Sequence, residues 1–473
     1  MTAFASHDST AFGGVWRALD GLCAVTTQEH AYQLAFQVIF LRQWPAPDGA
    51  ALARCPGPTG PVLARAWASL GLAKHIGPGV QRTAPRRLYG EADRSLAALI
   101  AEVDRLVEPA GLFDACLDRH SLRFGVGGDY YTPRPLARLV AGMAAPQAGE
   151  RVLDPVCGSG RLLIAADQWA RMHGREAGVL RLHGRDIRPE ARRIAVMNLM
   201  LNGLRYDLGE STVDSLRAGP ANLSADIVLA NPPMNAKDWG HVELSQDPRW
   251  RLGPPPKGNA DFAWVQHILN ELSPQGRAVV LLPDSATRRL NTAESSIRRR
   301  LVESDLLAGV VALPARLFPH TRTGATLWLF SRDKSANARW GRNARVGEVL
   351  FADARQLSTY CDESGRRLAE EGIDSICRTF ANWRGIPSAP GDSTAEGGSW
   401  CRSVRQDEIV RREYDLSPGC YVRTPAVGFE PVTSEKCRRR AKDMLYGHFD
   451  HAKDVTCLLR RVLTTESGER VTE

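Results

Sequence analysis

From Arg151 onward the chain alternates short apolar runs of β-forming residues with longer helical ones: RVLDP, RLLIAADQWARMHG, VLRLHGRD, PEARRIAVMNLMLNG and ADIVLANPP follow one another with little between them. Such a succession leaves few solutions, because parallel strands need a crossover between them and that crossover must cover a face of the sheet. The alternation continues through FAWVQHILNEL, GRAVVLLP, AESSIRRRLVES, LLAGVVALP and ATLWLFSR. It predicts a doubly wound α/β domain running to about Asp333. VGEVLFADA offers one further strand, after which the periodicity weakens.

The flanks read differently. Up to about Arg119 the chain is helical in character, with the amphipathic stretches EHAYQLAFQVIFLRQW and ADRSLAALIAEVDRLVE separated by a Pro/Gly-rich segment from Pro45 to Pro61. Ile386 to Ser399 has the composition of a flexible loop, and SEKCRRRAKDMLYGHFDHAKDVTCLLRRVL reads as a basic helical tail. The 473 residues leave room for two or three domains. The expected organisation is an N-terminal helical domain over residues 1–120, the α/β domain over 121–355 and a C-terminal region over 356–473.

Composition narrows the class. With 43% hydrophobic and 24% charged residues the chain has globular values. A net charge of +8 favours a polyanionic partner without separating nucleic acid from a membrane surface. The ten cysteines form no C-x-x-C pair, so neither a metal site nor a redox motif is expected, and reduced thiols fit a cytosol. No apolar run approaches the ~20 residues needed to span a bilayer, and MTAFASHDST lacks the basic-then-apolar layout of a signal peptide. A cytoplasmic protein without membrane association is expected.

Two segments carry chemistry. In VLDPVCGSGR an apolar strand ends in Asp154-Pro155 and passes through Gly158-Ser159-Gly160 into a helix. Glycines there let a ligand approach the backbone at a helix N-terminus. No Lys-Ser/Thr follows, which excludes a Walker phosphate loop, and the spacing is not G-x-G-x-x-G. A nucleoside without phosphates is the better fit. Asp186, ending the next strand in LHGRDIRPE, is suited to accept from both ribose hydroxyls, the alternative being a helix N-cap or first-turn acid. Asp214 in STVDSL is suited to accept from an adenine amine, the alternative being an ordinary loop aspartate. The second segment is Asn231-Pro232-Pro233-Met234, directly after ADIVLA, at the edge where open α/β sheets bind ligands. The two prolines stiffen the backbone there and cannot continue a central strand. Met234 alone would also fit ordinary loop packing.

The ordered series GGDYYTPRPLARLV, VLDPVCGSG, GRDIRPEARRIAVMNLMLNG, ADIVLANPPM, DFAWVQHILNELSPQGRAVVLLPDS, IRRRLVESDLLAGVVALPARLFPHTRTGATLWLF and EYDLSPGCYV resembles the modification (methylase) subunit of type I restriction-modification systems. The likeness is strongest from about Gly128 to Ser331. It implies a mostly parallel, seven-stranded class I methyltransferase sheet and S-adenosylmethionine as cofactor. Tyr130, Tyr131, Thr132 and Pro133 would line the cofactor's methionine end with Asp154 and the Gly158 to Gly160 turn, while Asp186 would hold the ribose. Asp261-Phe262 matches a motif whose helix flanks the cofactor adenine and target-base pocket. Three positions depart from the pattern. Met234 replaces the usual aromatic residue, Asp186 stands for the more usual glutamate, and Arg161 follows the glycine turn where a small residue is common. Arg161 is accommodated if it points away from the site.

The implied reaction is methylation of adenine N6 in DNA. That amine is a poor nucleophile because its lone pair is delocalised, so acceptors at Asn231 and the Pro232 carbonyl would bind its hydrogens and position it for in-line attack on a sulfonium methyl. The base must first leave the duplex. The implied partners are double-stranded DNA, a DNA-specificity subunit, a second methylase subunit and, where the system has one, a restriction endonuclease subunit. The basic tail is a candidate docking helix or simply a solvated one. Competing readings are N-methylation of a protein glutamine or an RNA base, and a cofactor-binding scaffold.

Overall fold

The structure, a computed structural model, describes residues 12–43, 59, 61–63, 90–106, 111–124, 132–173, 179–219, 223–315, 317, 324–361, 365–386 and 399–422. Met1–Arg423 form one compact unit. The basic tail, most of the Ile386 to Ser399 loop, and Tyr130 and Tyr131 lie outside the described residues.

The N-terminal part is helical: α1 (Gly13–Val25), α2 (Gln28–Gln43), α3 (Glu91–Asp104) and α4 (Leu112–Phe124). The sequence marks α2 as amphipathic, but every residue from Ala31 to Leu41 is buried. The reason is its place, with α1, α3 and α4 packed around it and a helix of the α/β part closing the remaining side. A helix covered all round needs no polar face. Arg119 of α4 donates to Asp20 of α1 at 2.8 Å and lies over the Trp16 ring.

The α/β part begins with α5 (Arg134–Ala144) and continues β1 (Arg151–Asp154), α6 (Arg161–Met172), β2 (Arg181–Gly184), α7 (Pro189–Leu201), β3 (Tyr206–Asp207), α8 (Ser215–Ala218), β4 (Ala225–Ala230), α9 (Asp261–Glu271), β5 (Leu272–Pro283), α10 (Thr292–Glu303), β6 (Leu307–Ala312) and β7 (Ala325–Ser331). After these come β8 (Glu348–Asp353), the hairpin β9 (Ser358–Cys361) and β10 (Gly365–Leu368), α11 (Glu370–Arg384), β11 (Cys401–Arg405) and α12 (Gln406–Arg411). The α/β class is as expected, but the sheet has nine strands and is mixed, in the order β11-β8-β6-β7-β5-β4-β1-β2-β3. From β3 to β5 all pairings are parallel, whereas β7 runs antiparallel between β5 and β6. The two strands beyond the expected seven extend one edge, β8 parallel to β6 and β11 antiparallel to β8. Of β11 only Val404 is buried, the polar habit of an edge strand. The central strands β4, β6 and β7 are buried throughout, as strands covered on both faces must be.

Residues beyond the expected α/β boundary thus complete the sheet and also cover it. α11 buries Ile373, Ile376, Cys377, Phe380 and Trp383, a three-and-four spacing that marks one helix face. The face packs on α5 and on β6. Gly309 of β6 leaves the slot for Phe380, since a Cβ there would stand 2.4 Å from the ring. At the end of α11 the buried Arg384 donates to the carbonyls of Trp340 at 2.8 Å and Met143 at 3.1 Å. Nearby, Arg277 of β5 pairs with Glu150 at 2.8 and 2.9 Å and donates to two carbonyls ending α5. No described helix is long and apolar enough to cross a membrane. Phe380→Ala should empty the slot over Gly309 and destabilise the whole unit by about 3–5 kcal/mol, which chemical denaturation would measure. A loss near zero would mean that α11 is only loosely attached.

Candidate active site

The turn after β1 is tied down from two sides. The N–H of Cys157 donates to the Arg185 carbonyl at 2.8 Å, and Asn198 of α7 donates to the Ser159 carbonyl at 2.9 Å. Gly158 and Gly160 have φ of +53° and +75°, which glycine adopts without strain. A side chain at Gly160 would also press on Leu199 at 3.3 Å. α6 starts there with no side chain capping it, so its N-terminal N–H groups face the turn. Asp186 is not the N-cap of α7, a position held by Arg188. Its two carboxylate oxygens accept from the N–H groups of Gly158 and Arg188, each at 2.9 Å. Oδ1 also accepts from the Arg188 Nε at 3.4 Å, so the further lone pair belongs to Oδ2. Asp154 is buried, with Oδ1 accepting from the Val156 N–H at 3.0 Å.

Asp214 is brought beside this group because the Val213 N–H donates to the Asp186 carbonyl at 2.9 Å. Its Oδ1 caps α8, accepting from the N–H groups of Leu216 and Arg217 at 3.1 and 3.3 Å, while Oδ2 is ion-paired with the Arg217 side chain at 3.6 Å. The hydroxyl of Ser215 donates to the Pro155 carbonyl at 2.6 Å and closes the ring of loops. The carboxylates of Asp186 and Asp214 suit ribose hydroxyls and cationic groups and disfavour phosphates, while the N-terminus of α6 offers its N–H groups to an anionic end of a ligand.

Asn231 leaves β4 half-buried, and its Nδ2 donates to the Thr132 hydroxyl at 3.1 Å. With the amide nitrogen so engaged, the carboxamide oxygen is the free acceptor. Pro232 is buried and Pro233 exposed, while Met234 is half-buried against the main core. Arg161 does not point away. It is 5% exposed and its guanidinium donates to the Thr132 carbonyl at 3.1 Å and to Asp118 of α4 at 2.7 Å, with Asp114 at 3.3 Å. Burial alone would push this guanidinium down, but the two carboxylates outweigh it and hold it above its ordinary value. Thr132 therefore links the two halves of the site, and Pro133 beside it caps α5.

Residues that sequence reading missed lock the loop after Met234. Asn235 sits at φ +53° with its N–H donated to Asp261 at 2.8 Å. Arg289 joins Asn235 at 2.7 Å, Asp261 at 3.3 Å and Glu294 at 2.8 Å, and Asn259 donates to the same Glu294 oxygen at 2.7 Å. Asn259, two residues before Asp261, was the one local signal. Phe262 is fully buried, edge-on to Trp328 at 6.2 Å, and belongs to the core.

The family model for N-6 DNA Methylase matches residues 117–428. The chain belongs to this N-6 DNA methylase family. It is 34% identical over 299 residues to the type I restriction enzyme HindI methylase subunit of Haemophilus influenzae, an alignment covering 63% of this chain and 64% of that one. To the MjaIX methylase subunit of Methanocaldococcus jannaschii it is 31% identical over 304 residues, covering 63% and 52%. The match thus spans between half and two thirds of these curated relatives' length. Among solved structures, the type I restriction-modification system methyltransferase subunit of Streptococcus thermophilus has the same fold, with a TM-score of 0.65, 21% identity, and 87% of this chain and 99% of that one covered.

In this N-6 DNA methylase family member, burial pushes the Asp154 carboxyl up to about 8, opposed by the Val156 N–H and assisted by nearby Asp186. Its ordinary value is 3.8, so between the two the folded state binds a proton that the unfolded chain does not. That stabilisation is complete below the ordinary value and is lost as pH rises through about 8. Asp154→Asn, which resembles the protonated acid, should melt close to wild type below about pH 4, increasingly above it as pH rises to about 8, and by a constant margin beyond. Thermal unfolding without cofactor tests this, and a difference independent of pH would refute it.

Proposed function

We propose that the chain transfers the methyl group of S-adenosylmethionine to the N6 amine of adenine in double-stranded DNA, as the modification subunit of a type I restriction-modification system. The observation that carries the reading is the Asn231 amide, oriented by Thr132 so that its oxygen is offered at the end of β4. Bound cofactor would supply an electrophilic methyl on a sulfonium. Asp186 would hold its ribose and Asp214 its adenine amine. Thr132 and Pro133, with Tyr130 and Tyr131, would flank the methionine end beside Asp154, Pro155 and the Gly158, Ser159 and Gly160 turn.

The Asn231 oxygen and the Pro232 carbonyl would each accept one N6 hydrogen, drawing electron density onto the nitrogen and fixing its lone pair toward the methyl. Pro233 stiffens this geometry, and Met234 offers a polarizable thioether to the face of the extruded base. No covalent bond to the protein is needed. Membership of a DNA methylase family favours DNA over a protein glutamine or RNA as acceptor. The relatives' names, methylase subunits of type I restriction enzymes, support assembly with other subunits, and the partners we propose are a DNA-specificity subunit, a second methylase subunit and an endonuclease subunit, in a cytoplasmic setting.

Labelled cofactor incubated with unmethylated genomic DNA, with and without the specificity subunit of the same locus, should place label in N6-methyladenine. Label in protein or RNA would overturn the reading. Asn231→Ala should lower transfer by roughly 100-fold or more, with cofactor affinity nearly intact by calorimetry. Thr132→Val removes only the hydroxyl and should lower kcat by about 3- to 10-fold without weakening cofactor binding, whereas Thr132→Ser should behave like wild type. Equal losses in both variants would show that Thr132 acts through packing.

A further inference from the structure

Leu290 is 98% exposed, the most exposed large hydrophobic side chain among the described residues. A leucine wholly in water adds nothing to the folded core, and on a slack loop it would need no explanation. This loop is held on both sides of it. The Arg289 guanidinium is joined to Asn235, Asp261, Glu294 and, at 2.6 Å, the Ser285 hydroxyl, while its carbonyl accepts from Arg298 at 3.0 Å. On the other side the Asn291 side chain caps α10, accepting from Ala293 and Glu294 at 3.0 and 3.2 Å. The leucine is thus presented rigidly, and its neighbour is bonded to the residue that follows Met234.

Cations flank members of the same hub along the chain. Lys237 lies two residues after Asn235 and Lys257 two before Asn259, and both are exposed. Their loop is drawn together by the Trp239 indole, which donates to the Pro256 carbonyl at 3.2 Å. Arg288, 55% exposed and paired with Asp284 at 3.0 Å, precedes the hub residue. A fully exposed apolar side chain whose neighbour is anchored to the residue after Met234, with cations close to the anchoring residues in the chain, has the chemistry of a wedge for a site that takes a base out of its stack, since apolar side chains that enter base steps keep the helix open while the phosphates are held.

We propose that Leu290 enters the DNA stack beside the extruded adenine, with Lys237, Lys257 and Arg288 against the flanking phosphates. This rests on the methyl-transfer reading above. The test uses the full chain with the specificity subunit of its locus. The methylated sequence is first read from genomic DNA labelled by wild type, then made as two duplexes, one with the target adenine opposite thymine and one with it opposite an abasic site. Leu290→Ala should transfer methyl about 10-fold more slowly to the paired duplex and return to within about twofold of wild type on the abasic one, where little pairing must be broken. Its melting temperature should be that of wild type, because the side chain is in solvent. Equal rates for variant and wild type on the paired duplex, or the same loss on both duplexes, would overturn the wedge. No transfer by wild type to either would instead overturn the methyl-transfer reading, and the wedge with it.

Discussion

The arrangement of this site depends on one buried cation. Arg161 is the first residue of the helix that follows the glycine turn, and its guanidinium spans the gap to α4, where Asp118 and Asp114 neutralise it. Taking a guanidinium out of water is costly unless its charge and its hydrogens are met, and here two carboxylates and two carbonyls meet the charge and the terminal NH2 groups, leaving only the buried Nε without a partner among the described residues. The Thr132 carbonyl is one of those acceptors, and the Thr132 hydroxyl holds Asn231. The N-terminal helices are therefore part of the framework that holds Asn231. A shift of α4 relative to the sheet would be felt, through two hydrogen-bonded residues, at the amide of Asn231.

Topology explains why so few residues suffice. β1 lies between β2 and β4, all three parallel, so the loops leaving their carboxyl ends are neighbours before any side chain is considered. Those loops carry the glycine turn, Asp186 and the Asn231 to Met234 segment. It is also where the sheet order reverses direction, leaving a crevice between crossovers that turn to opposite sides. Side chains then only refine the geometry, Asp186 by holding the Gly158 N–H and Asp261 by holding that of Asn235.

Much of this was legible in the sequence because it was local. Strands β1, β2, β4, β6 and β7 are short apolar runs followed by turn residues, and the position of Asn231 after ADIVLA follows from the strand alone. What escaped has physical reasons. β11 buries one residue in five and looks like loop. α11 carries a clear apolar face, but Gly372 in its first turn and the polar residues between Ile373 and Phe380 dilute the signal. α2 misled in the opposite sense, since the helices surrounding it make its polar face unnecessary. The roles of Arg161 and Arg289 were illegible because the partners that tie them to the site lie far away in sequence, at Asp118 and Thr132 for one and at Asn235 and Asp261 for the other.

How Met234 would serve where the resemblance leads one to expect a ring follows from the same long-range contacts. A thioether side chain is flexible, and on a mobile loop its freedom would have to be lost each time a base arrived. Here Pro232 and Pro233 fix the chain before it, and Asn235 after it is held at positive φ by Asp261 and Arg289. The backbone carrying the sulfur has little left to order. Half-burial of Met234 against the main core removes part of the remaining rotamer freedom. Under the methyl-transfer reading proposed above, preorganisation supplied by the loop would substitute for rigidity that an aromatic residue would have brought in its own ring.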